Sequence, residues 1–347
     1  MSQQRINRRW LYVQRPAHES TAEHYQLDET TPAPTPADGE LLIQAVWFSV
    51  DPYMRIQQSS FRTWEAPHPL NTVQGGGVVG VVVESRSPAF APGDYVSAYT
   101  GWQLYATVAA SAVRKLNPKD APIEYSLGVL GMPGRTAYFG LLDAGKPKAG
   151  ETVVVSAASG AVGLLVAQIA KIQKCRVVGI AGGQEKCNYL KSLGLDEVID
   201  YKALPRSKDD VDYDAILAAL KQACPQGVDI YFDNVGGTTT DAVFNLINLR
   251  ARVIICGQIT QYNGKLDSVE MGPRFLHRLI YTRATIQGIL ARDYVDRMDE
   301  MLPVMIDWLN SGKLKYEQTV VDGFEQLPSA LNALFHGKNV GKMLVRA

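Results

Sequence analysis

The alternation of apolar and polar positions divides the chain into a β-rich first part and a later part in which strands and helices alternate. Apolar runs of strand length occupy residues 41–48, 78–83, 94–98 and 104–108. Turn signals rich in Gly, Pro and Asp bound these runs, as strands of a β domain require. The pattern therefore predicts short strands over residues 1–128.

The most informative stretch is 151–170. A β-branched run (Val153 and its neighbours) is followed by a turn of small residues containing Gly160 and Gly163, after which apolar spacing becomes helical. Strand, turn and helix in this order give the dinucleotide fingerprint G-x-G-x-x-G/A, with Ala157 in its first position. A glycine allows close approach of a pyrophosphate, and the helix N-terminus offers N–H groups. Taken alone, the same pattern also fits a tight turn into any buried helix.

The flanking periodicity favours the nucleotide-binding interpretation. A strand at 176–181, a helix at 185–193 and a strand at 197–199 give the rhythm of a doubly wound parallel sheet. Residues 152–170 carry no charged side chain and are long enough to resemble a membrane span. The glycines and polar residues within them favour strand, turn and helix, so we expect no membrane segment.

The pattern after residue 199 predicts the remaining strands of the parallel sheet and then further β-type segments outside it. Because ligands of open α/β sheets lie at the carboxyl ends of the strands, we expect the site there. The last β-type segments have no partner in that sheet, so we expect them to fold back onto the first domain. The predicted elements are a loop at 202–214, helices at 213–223, 241–247 and 298–309, and strands at 228–234, 252–256, 285–290, 316–321 and 342–346.

Composition limits the function classes. The 347 residues, 46% hydrophobic and 20% charged, are typical of a globular protein with two domains. Lys plus Arg and Asp plus Glu are 35 each, so nothing favours nucleic acid or an anionic membrane as partner. The four cysteines form no C-x-x-C pair, which excludes a disulfide framework or zinc knuckle. The apolar run near the start is too short for a signal peptide, so we expect a cytoplasmic enzyme.

Several motifs in order resemble one family, the zinc-independent alkenal reductases of the medium-chain dehydrogenase/reductase superfamily. This group includes leukotriene B4 dehydrogenase/prostaglandin reductase, plant double-bond reductases and bacterial curcumin reductase, and we expect this chain to be curcumin-reductase-like. The resemblance covers nearly the whole chain. The motifs are DPYMR (51–55), GMPGRTAY (131–138), AASGAVG (157–163), YFDNVGG (231–237), CGQITQYN (256–263) and GKNVGK (337–342).

The resemblance implies an α/β fold with a Rossmann doubly wound parallel sheet and a β-rich GroES-like catalytic domain. The implied domains are a GroES-like catalytic domain (1–128), a Rossmann NADPH-binding domain (129–300) and a return segment completing the catalytic domain (301–347). It also implies NADPH-dependent reduction of the C=C bond of small α,β-unsaturated ketones or aldehydes. Where relatives usually carry an aromatic residue after Gly288, this chain has Ile289. The implied cofactor contacts are Met132, Thr136, Gly160, Ala161, Val162, Gly163, Lys186, Tyr201, Asn234, Cys256, Tyr262, Ile289, Leu290 and Asn339.

The end of the second predicted parallel strand indicates which coenzyme is used. NAD-binding folds carry an acid there for the ribose 2′-hydroxyl, whereas this chain has Ala181, Gly182 and Gly183. Lys186 lies one helical turn on and suits a 2′-phosphate, although a solvated lysine is the alternative. The sequence therefore predicts NADPH.

The expected chemistry needs no metal. Zinc relatives place Cys, His and Glu ligands where this chain has 48–50 and 75–77, which contain none of them. Hydride must then go to an acceptor activated by conjugation, and donors aimed at the resulting enolate oxygen become the main catalytic device. Tyr53 is the first candidate donor, although it could simply pack under a loop, and the cofactor ribose hydroxyl is the second. Tyr262 follows a strand end and could line either the cofactor or the substrate, so it is the next catalytic candidate. Aromatic residues that could line an apolar cleft are Trp47, Phe48, Trp64, Trp102 and Tyr105.

Two other functions stay open from the sequence. One is a zinc-free NADPH quinone reductase, which motifs 51–55 and 337–342 disfavour. The other is a low-turnover NADPH-binding structural or regulatory protein. We also expect a homodimer, because strand 285–290 could be an exposed sheet edge.

Overall fold

The computed structural model describes residues 5–207, 210–264, 266, 268–269 and 271–347, which form two large sheets. The first part of the chain is β-rich, as its pattern predicts. A short helix, α1 (Tyr53–Gln57), follows its longest strand. The strands are β1 (Arg9–Tyr12), β2 (Tyr25–Asp28), β3 (Glu40–Ser49), β4 (Thr72–Val73), β5 (Gly77–Ser85), β6 (Tyr95–Tyr99), β7 (Tyr105–Ala109) and β8 (Arg114–Leu116).

The middle of the chain alternates strands and helices. A π-helical turn, Gly140–Gly145, extends the first of these helices. The strands are β9 (Thr152–Val155), β10 (Arg176–Ala181), β11 (Glu197–Asp200), β12 (Arg206–Ser207), β13 (Asp210–Val211), β14 (Val228–Asp233), β15 (Ile247–Ile255) and β16 (Thr285–Gly288). The helices are α2 (Met132–Phe139), α3 (Gly163–Ile172), α4 (Gln184–Ser192), α5 (Tyr213–Ala223), α6 (Gly237–Val243), α7 (Leu276–Thr282) and α8 (Met298–Asn310).

These strands form a six-stranded parallel sheet in the order β11-β10-β9-β14-β15-β16. Its strands are apolar on both faces because helices cover both. Val153 and Val155 pack with α3 and α8 on one face, whereas Val154 packs with α5 and α6 on the other. The predicted doubly wound sheet is confirmed.

The last part of the chain contains β17 (Gln318–Asp322), α9 (Leu327–Phe335) and β18 (Lys342–Arg346). Strand β18 pairs antiparallel with β3, giving a seven-stranded sheet in the order β17-β18-β3-β5-β6-β8, with β7 also paired to β3. Helix α8, which precedes this return, packs through Met301 and Met305 on the parallel-sheet core. The boundaries proposed at 128/129 and 300/301 stay predictions.

Three predicted elements are wrong in detail. Residues 202–214, predicted as a loop, contain the small hairpin β12-β13 and the start of α5, while residues 208–209 lie outside the described part. The helix predicted at 241–247 runs earlier, and Ile247 already pairs with Val228 in the sheet. Asp233 holds the turn before the helix by accepting the N–H groups of Val235 and Gly236, and Asp210 Oδ2 accepts the N–H of Thr238 in the first turn of α6 at 3.1 Å.

The strand predicted at 252–256 is also wrong at its start, because β15 already begins at Ile247. The other predicted strands lie within two residues of the observed ones. In the described part of the chain, no helix combines the length and the apolar character needed to cross a bilayer.

Candidate active site

The expected cofactor residues follow the carboxyl ends of neighbouring parallel strands. Along the sheet, Tyr201 follows β11, the turn before Lys186 follows β10, Gly160 follows β9, Asn234 follows β14 and Cys256 follows β15. Chain order reverses between β9 and β14, where a doubly wound sheet opens a crevice for a ligand. The fold therefore gathers residues from 160 to 256 along one edge.

The glycine-rich turn has two glycines with different surroundings. A Cβ on Gly163 would lie 2.3 Å from the Ala157 carbonyl oxygen, so this glycine is needed for the turn to pack on its helix. A Cβ on Gly160 would lie 3.2 Å from the same oxygen and meet no other atom within 4 Å. Among the described residues, the N–H groups of Val162 and Gly163 have no acceptor. Open space and free N–H groups together suit an anionic ligand.

At the second strand end, Lys186 is half-buried and donates from Nζ to the Gly337 carbonyl oxygen at 2.8 Å. Burial first, and then the positive charge of Lys202, lower the pKa of Lys186. The Tyr201 ring lies against Gly182, where a Cβ would come within 2.9 Å of the hydroxyl oxygen. This corner is cationic and bounded by an aromatic ring.

The middle of the sheet edge is held by a buried polar network. Ser156 Oγ accepts the N–H of Asn234 at 2.8 Å, and the Asn234 amide donates to the Ser156 carbonyl at 2.8 Å. Ser156 Oγ also donates to the buried carboxylate of Asp233 at 3.1 Å. Asn234 is thereby fixed beside the glycine-rich turn.

Beyond β15, Cys256 is half-buried and Tyr262 is almost fully buried. Burial, together with Asp233, raises the pKa of the Cys256 thiol to about 12, and burial raises that of Tyr262 to about 12. The Tyr262 hydroxyl accepts the N–H of Gln258 at 3.0 Å. Its oxygen is thus directed at the backbone of its own loop.

Helix α2 places Met132 and Thr136 one turn apart, and Thr136 Oγ1 donates to the Met132 carbonyl at 2.8 Å. Ile289 and Leu290 follow β16 and are half-buried. A Cβ on Gly140 would lie 2.5 Å from Ile289 Cδ1, so this helix packs directly on the end of β16.

The return segment packs against the glycine-rich turn. Gly341 forms an isolated parallel bridge with Gly160 and donates its N–H to the Ser159 carbonyl at 2.8 Å. Asn339 donates from its amide to the Gly341 carbonyl at 2.8 Å. Asn339 is therefore positioned at the glycine-rich turn although the two are far apart in sequence.

Tyr53 begins α1 and is half-buried. Burial first, and then Tyr99 and the charge of Asp51, raise the pKa of Tyr53 well above its ordinary value. A hydroxyl that keeps its proton at every physiological pH can donate a hydrogen bond. The preceding loop is tied to β18, because Lys342 Nζ donates to the Val50 carbonyl at 2.6 Å.

Sequence reasoning missed one contact between the two domains. Arg292 Nη2 donates to Glu65 Oε2 at 2.9 Å, and Glu65 also accepts from the Gln57 amide. The partners are 227 positions apart, and no local pattern signals their pairing. The ion pair joins the segment after β16 to the loop after α1, next to Tyr53.

The expected aromatic cleft wall is partly wrong. Phe48 and Trp102 are fully buried in the core of the first domain, while Trp47, Trp64 and Tyr105 are half-buried. A cavity of about 280 Å³ lies elsewhere, between Tyr125, Tyr316 and α8, and no expected site residue lines it. Within the described residues, no group of three or more His, Cys, Asp or Glu side chains could hold a metal ion.

Comparison with known proteins identifies the family. Residues 8–116 match the family model described as the N-terminal domain of oxidoreductase, and residues 161–311 match that described as zinc-binding dehydrogenase. The NADPH-dependent curcumin reductase of Escherichia coli (strain K12) is 41% identical, covering 99% of this chain and 98% of the relative. This chain belongs to the alkenal and prostaglandin reductase group of the medium-chain dehydrogenase/reductase superfamily.

Two further similar proteins support this family assignment. The 2-alkenal reductase (NADP(+)-dependent) of Nicotiana tabacum is 41% identical, covering 88% of this chain and 87% of the relative. The crystal structure of CurA in complex with NADPH from Vibrio vulnificus superposes with a TM-score of 0.89 at 42% identity. That comparison covers 98% of this chain and 99% of CurA. The resemblance stated from the motifs is confirmed.

Proposed function

We propose that this chain is an NADPH-dependent reductase of C=C bonds conjugated to a ketone or aldehyde carbonyl. The main support for this function is the contact of the return segment with the glycine-rich turn, through the bridge between Gly160 and Gly341. This contact brings a dinucleotide-type sheet edge next to the loop that carries Tyr53. Two relatives that are each 41% identical to this chain, a curcumin reductase and a 2-alkenal reductase, support the proposal.

The sheet edge suits a dinucleotide laid across it. The open face of Gly160 and the N–H groups of Val162 and Gly163 are available for the pyrophosphate. Lys186 and Tyr201 form the corner suited to a 2′-phosphate. Residues that would contact the nicotinamide half are Met132, Thr136, Asn234, Cys256, Tyr262, Ile289, Leu290 and Asn339.

NADPH, when bound, supplies the hydride that adds to the β-carbon of the substrate. The electron pair of the C=C bond moves toward the carbonyl, so negative charge develops on its oxygen. Tyr53 donates a hydrogen bond to that oxygen, since its raised pKa keeps its proton in place. A solvent proton at the α-carbon then gives the saturated carbonyl product.

Tyr262 has a different role in this proposal. Its hydroxyl oxygen is engaged by the Gln258 N–H and the side chain is only 8% exposed. It therefore shapes the cofactor side of the cleft, and Tyr53 remains the donor to test first.

We further propose a cytoplasmic homodimer. Strand β16 is the edge of the parallel sheet, and the neighbouring helix α7 exposes Leu276, Ile280 and Tyr281 by 68%, 73% and 71%. The outer edge of a terminal strand beside an exposed apolar face is the kind of surface that a second copy covers. Sedimentation equilibrium of the wild type and of an Ile280→Asp variant measures this directly.

The enzymatic proposal is tested by NADPH consumption with three probes: an enone, an enal and a quinone. Turnover of the enone and enal to saturated carbonyls supports it, and the same turnover after exhaustive chelation supports metal independence. Preference for the quinone would favour the zinc-free quinone reductase. NADPH binding without turnover of any probe would favour a regulatory protein.

A further inference from the structure

Two lysine side chains converge on the backbone of the return segment. Lys186 Nζ donates to the Gly337 carbonyl at 2.8 Å. A Cβ built on Gly337 would lie 3.6 Å from Lys186 Nζ and 4.0 Å from Lys202 Nζ. Both ammonium nitrogens therefore lie within 4.0 Å of a single point at the carboxyl end of β10 and β11.

The exposed carboxylate of Glu185 offsets this pair in part, but burial and Lys202 have larger effects on the pKa of Lys186. Neither lysine takes part in a salt bridge within the described part of the chain. The acid nearest to Lys202 along the chain, Asp200, directs Oδ1 at the N–H groups of Gly183 and Lys202, at 2.8 and 3.0 Å. Two like charges held close together are unfavourable unless an anion lies between them. The arrangement is therefore suited to an anionic ligand group.

We propose that Lys202 is a second specificity-determining residue for NADPH, sharing the ribose 2′-phosphate with Lys186. This inference rests on the proposed use of NADPH. A phosphate monoester carries close to two negative charges at neutral pH and offers three acceptor oxygens. The Gly337 carbonyl accepts one N–H of the Lys186 ammonium group and so fixes the position of that group. Lys202 then supplies the second positive charge for the phosphate.

The return segment is part of this subsite. Gly337 adopts a φ of +62°, a conformation that L side chains rarely adopt, and a side chain there would point at both lysines. Glycine at this position thus leaves the space between the ammonium groups open for the phosphate.

Binding to the cofactor-free protein tests the inference without relying on turnover. We expect Lys202→Ala to weaken NADP⁺ binding, measured by titration calorimetry, about tenfold, in line with loss of a charge-assisted contact. NAD⁺ binding should change by less than about twofold, because it lacks the phosphate. The fragments 2′,5′-ADP and 5′-AMP should show the same contrast, and Lys202→Arg should retain most of the affinity.

The matched control is Lys191→Ala, an exposed lysine on the same helix as Lys186. It should leave both coenzymes unchanged, which separates a local contact from general loss of positive charge. The salt dependence of NADP⁺ binding should also become shallower in Lys202→Ala and not in Lys191→Ala.

Two results would overturn the inference: an unchanged NADP⁺ affinity in Lys202→Ala, or an equal loss for NADP⁺ and NAD⁺. In either case a large selective loss in Lys186→Ala would leave the use of NADPH intact. Failure of the wild-type protein to bind either coenzyme would instead reject the proposed function itself.

Discussion

Lys342 and Asp51 form an ion pair inside the protein, with 3.1 Å between Nζ and Oδ1 and side-chain exposures of 1% and 5%. The same ammonium group donates to the carbonyls of Val50 and Met343 at 2.6 and 2.8 Å. Ser49 donates to the other carboxylate oxygen. The pair thus joins β18, just after its contact with the glycine-rich turn, to the loop that positions Tyr53.

Removing only the cation should destabilise the fold strongly. Lys342→Met leaves the Asp51 carboxylate buried without its partner, which costs about 3–5 kcal/mol in comparable cases. The free energy of unfolding from urea titration measures the loss. Lys342→Met combined with Asp51→Asn should recover part of it, and Lys338→Met, at an exposed position, serves as the control. A loss below about 1 kcal/mol would mean that the pair is dispensable.

The two glycines of the turn should respond differently to the same change. Gly163→Ala forces a Cβ to 2.3 Å from the Ala157 oxygen, so we expect loss of stability in thermal unfolding. In Gly160→Ala the added Cβ contacts only that oxygen, at 3.2 Å, so the fold should persist. NADPH affinity should fall, because the Cβ occupies the space through which the pyrophosphate approaches the backbone. Equal coenzyme binding in Gly160→Ala and the wild type would contradict the placement of the pyrophosphate.

The sequence predicts most of the fold because its signals are local. β-Branched runs such as Val153–Val155 and the glycine-rich turn that follows them specify strand, turn and helix within a few residues. The early start of α6 could not be predicted because the side chain that accepts an N–H of its first turn, Asp210, lies 28 positions before Thr238 in the sequence. The hairpin within 202–214 was missed because its strands are only two residues long.

In the candidate site, too, only the residues with a local sequence signal could be predicted. Motif residues such as Asn234 follow strand ends and could be assigned from order alone. Contacts between distant segments could not, as Lys202 near Gly337 and Arg292 with Glu65 show. These depend on how the return segment and the two domains pack, which no local pattern encodes.

Tyr53→Phe tests the proposed donor to the enolate oxygen. The hydroxyl acts mainly in the transition state, so kcat should fall more than substrate binding weakens. Loss of one such donor costs ~10²–10³ in rate, and we expect the lower end. Tyr95→Phe, at a half-buried tyrosine on β6, is the control and should keep normal turnover. If chemistry limits turnover and kcat is unchanged in Tyr53→Phe, Tyr53 is not the donor.

The affinity for NADP⁺ should vary more strongly with pH than the affinity for NAD⁺. Burial and Lys202 lower the pKa of Lys186, so its charge is present below that pKa and is lost as pH rises through it. On the acid side, protonation of the phosphate near pH ~6 also weakens the attraction. Dissociation constants measured over pH should therefore give a maximum for NADP⁺ affinity and a flatter profile for NAD⁺. Parallel profiles would exclude Lys186 from the 2′-phosphate subsite.

The destination of the hydride distinguishes reduction of the C=C bond from reduction of the carbonyl group. NADPH deuterated at the transferred position is supplied with an unsaturated ketone, and the product is analysed by NMR and mass spectrometry. The proposed reaction places deuterium on the β-carbon of a saturated ketone, with a solvent proton on the α-carbon. Deuterium on the carbonyl carbon of an unsaturated alcohol would show carbonyl reduction and would contradict the account.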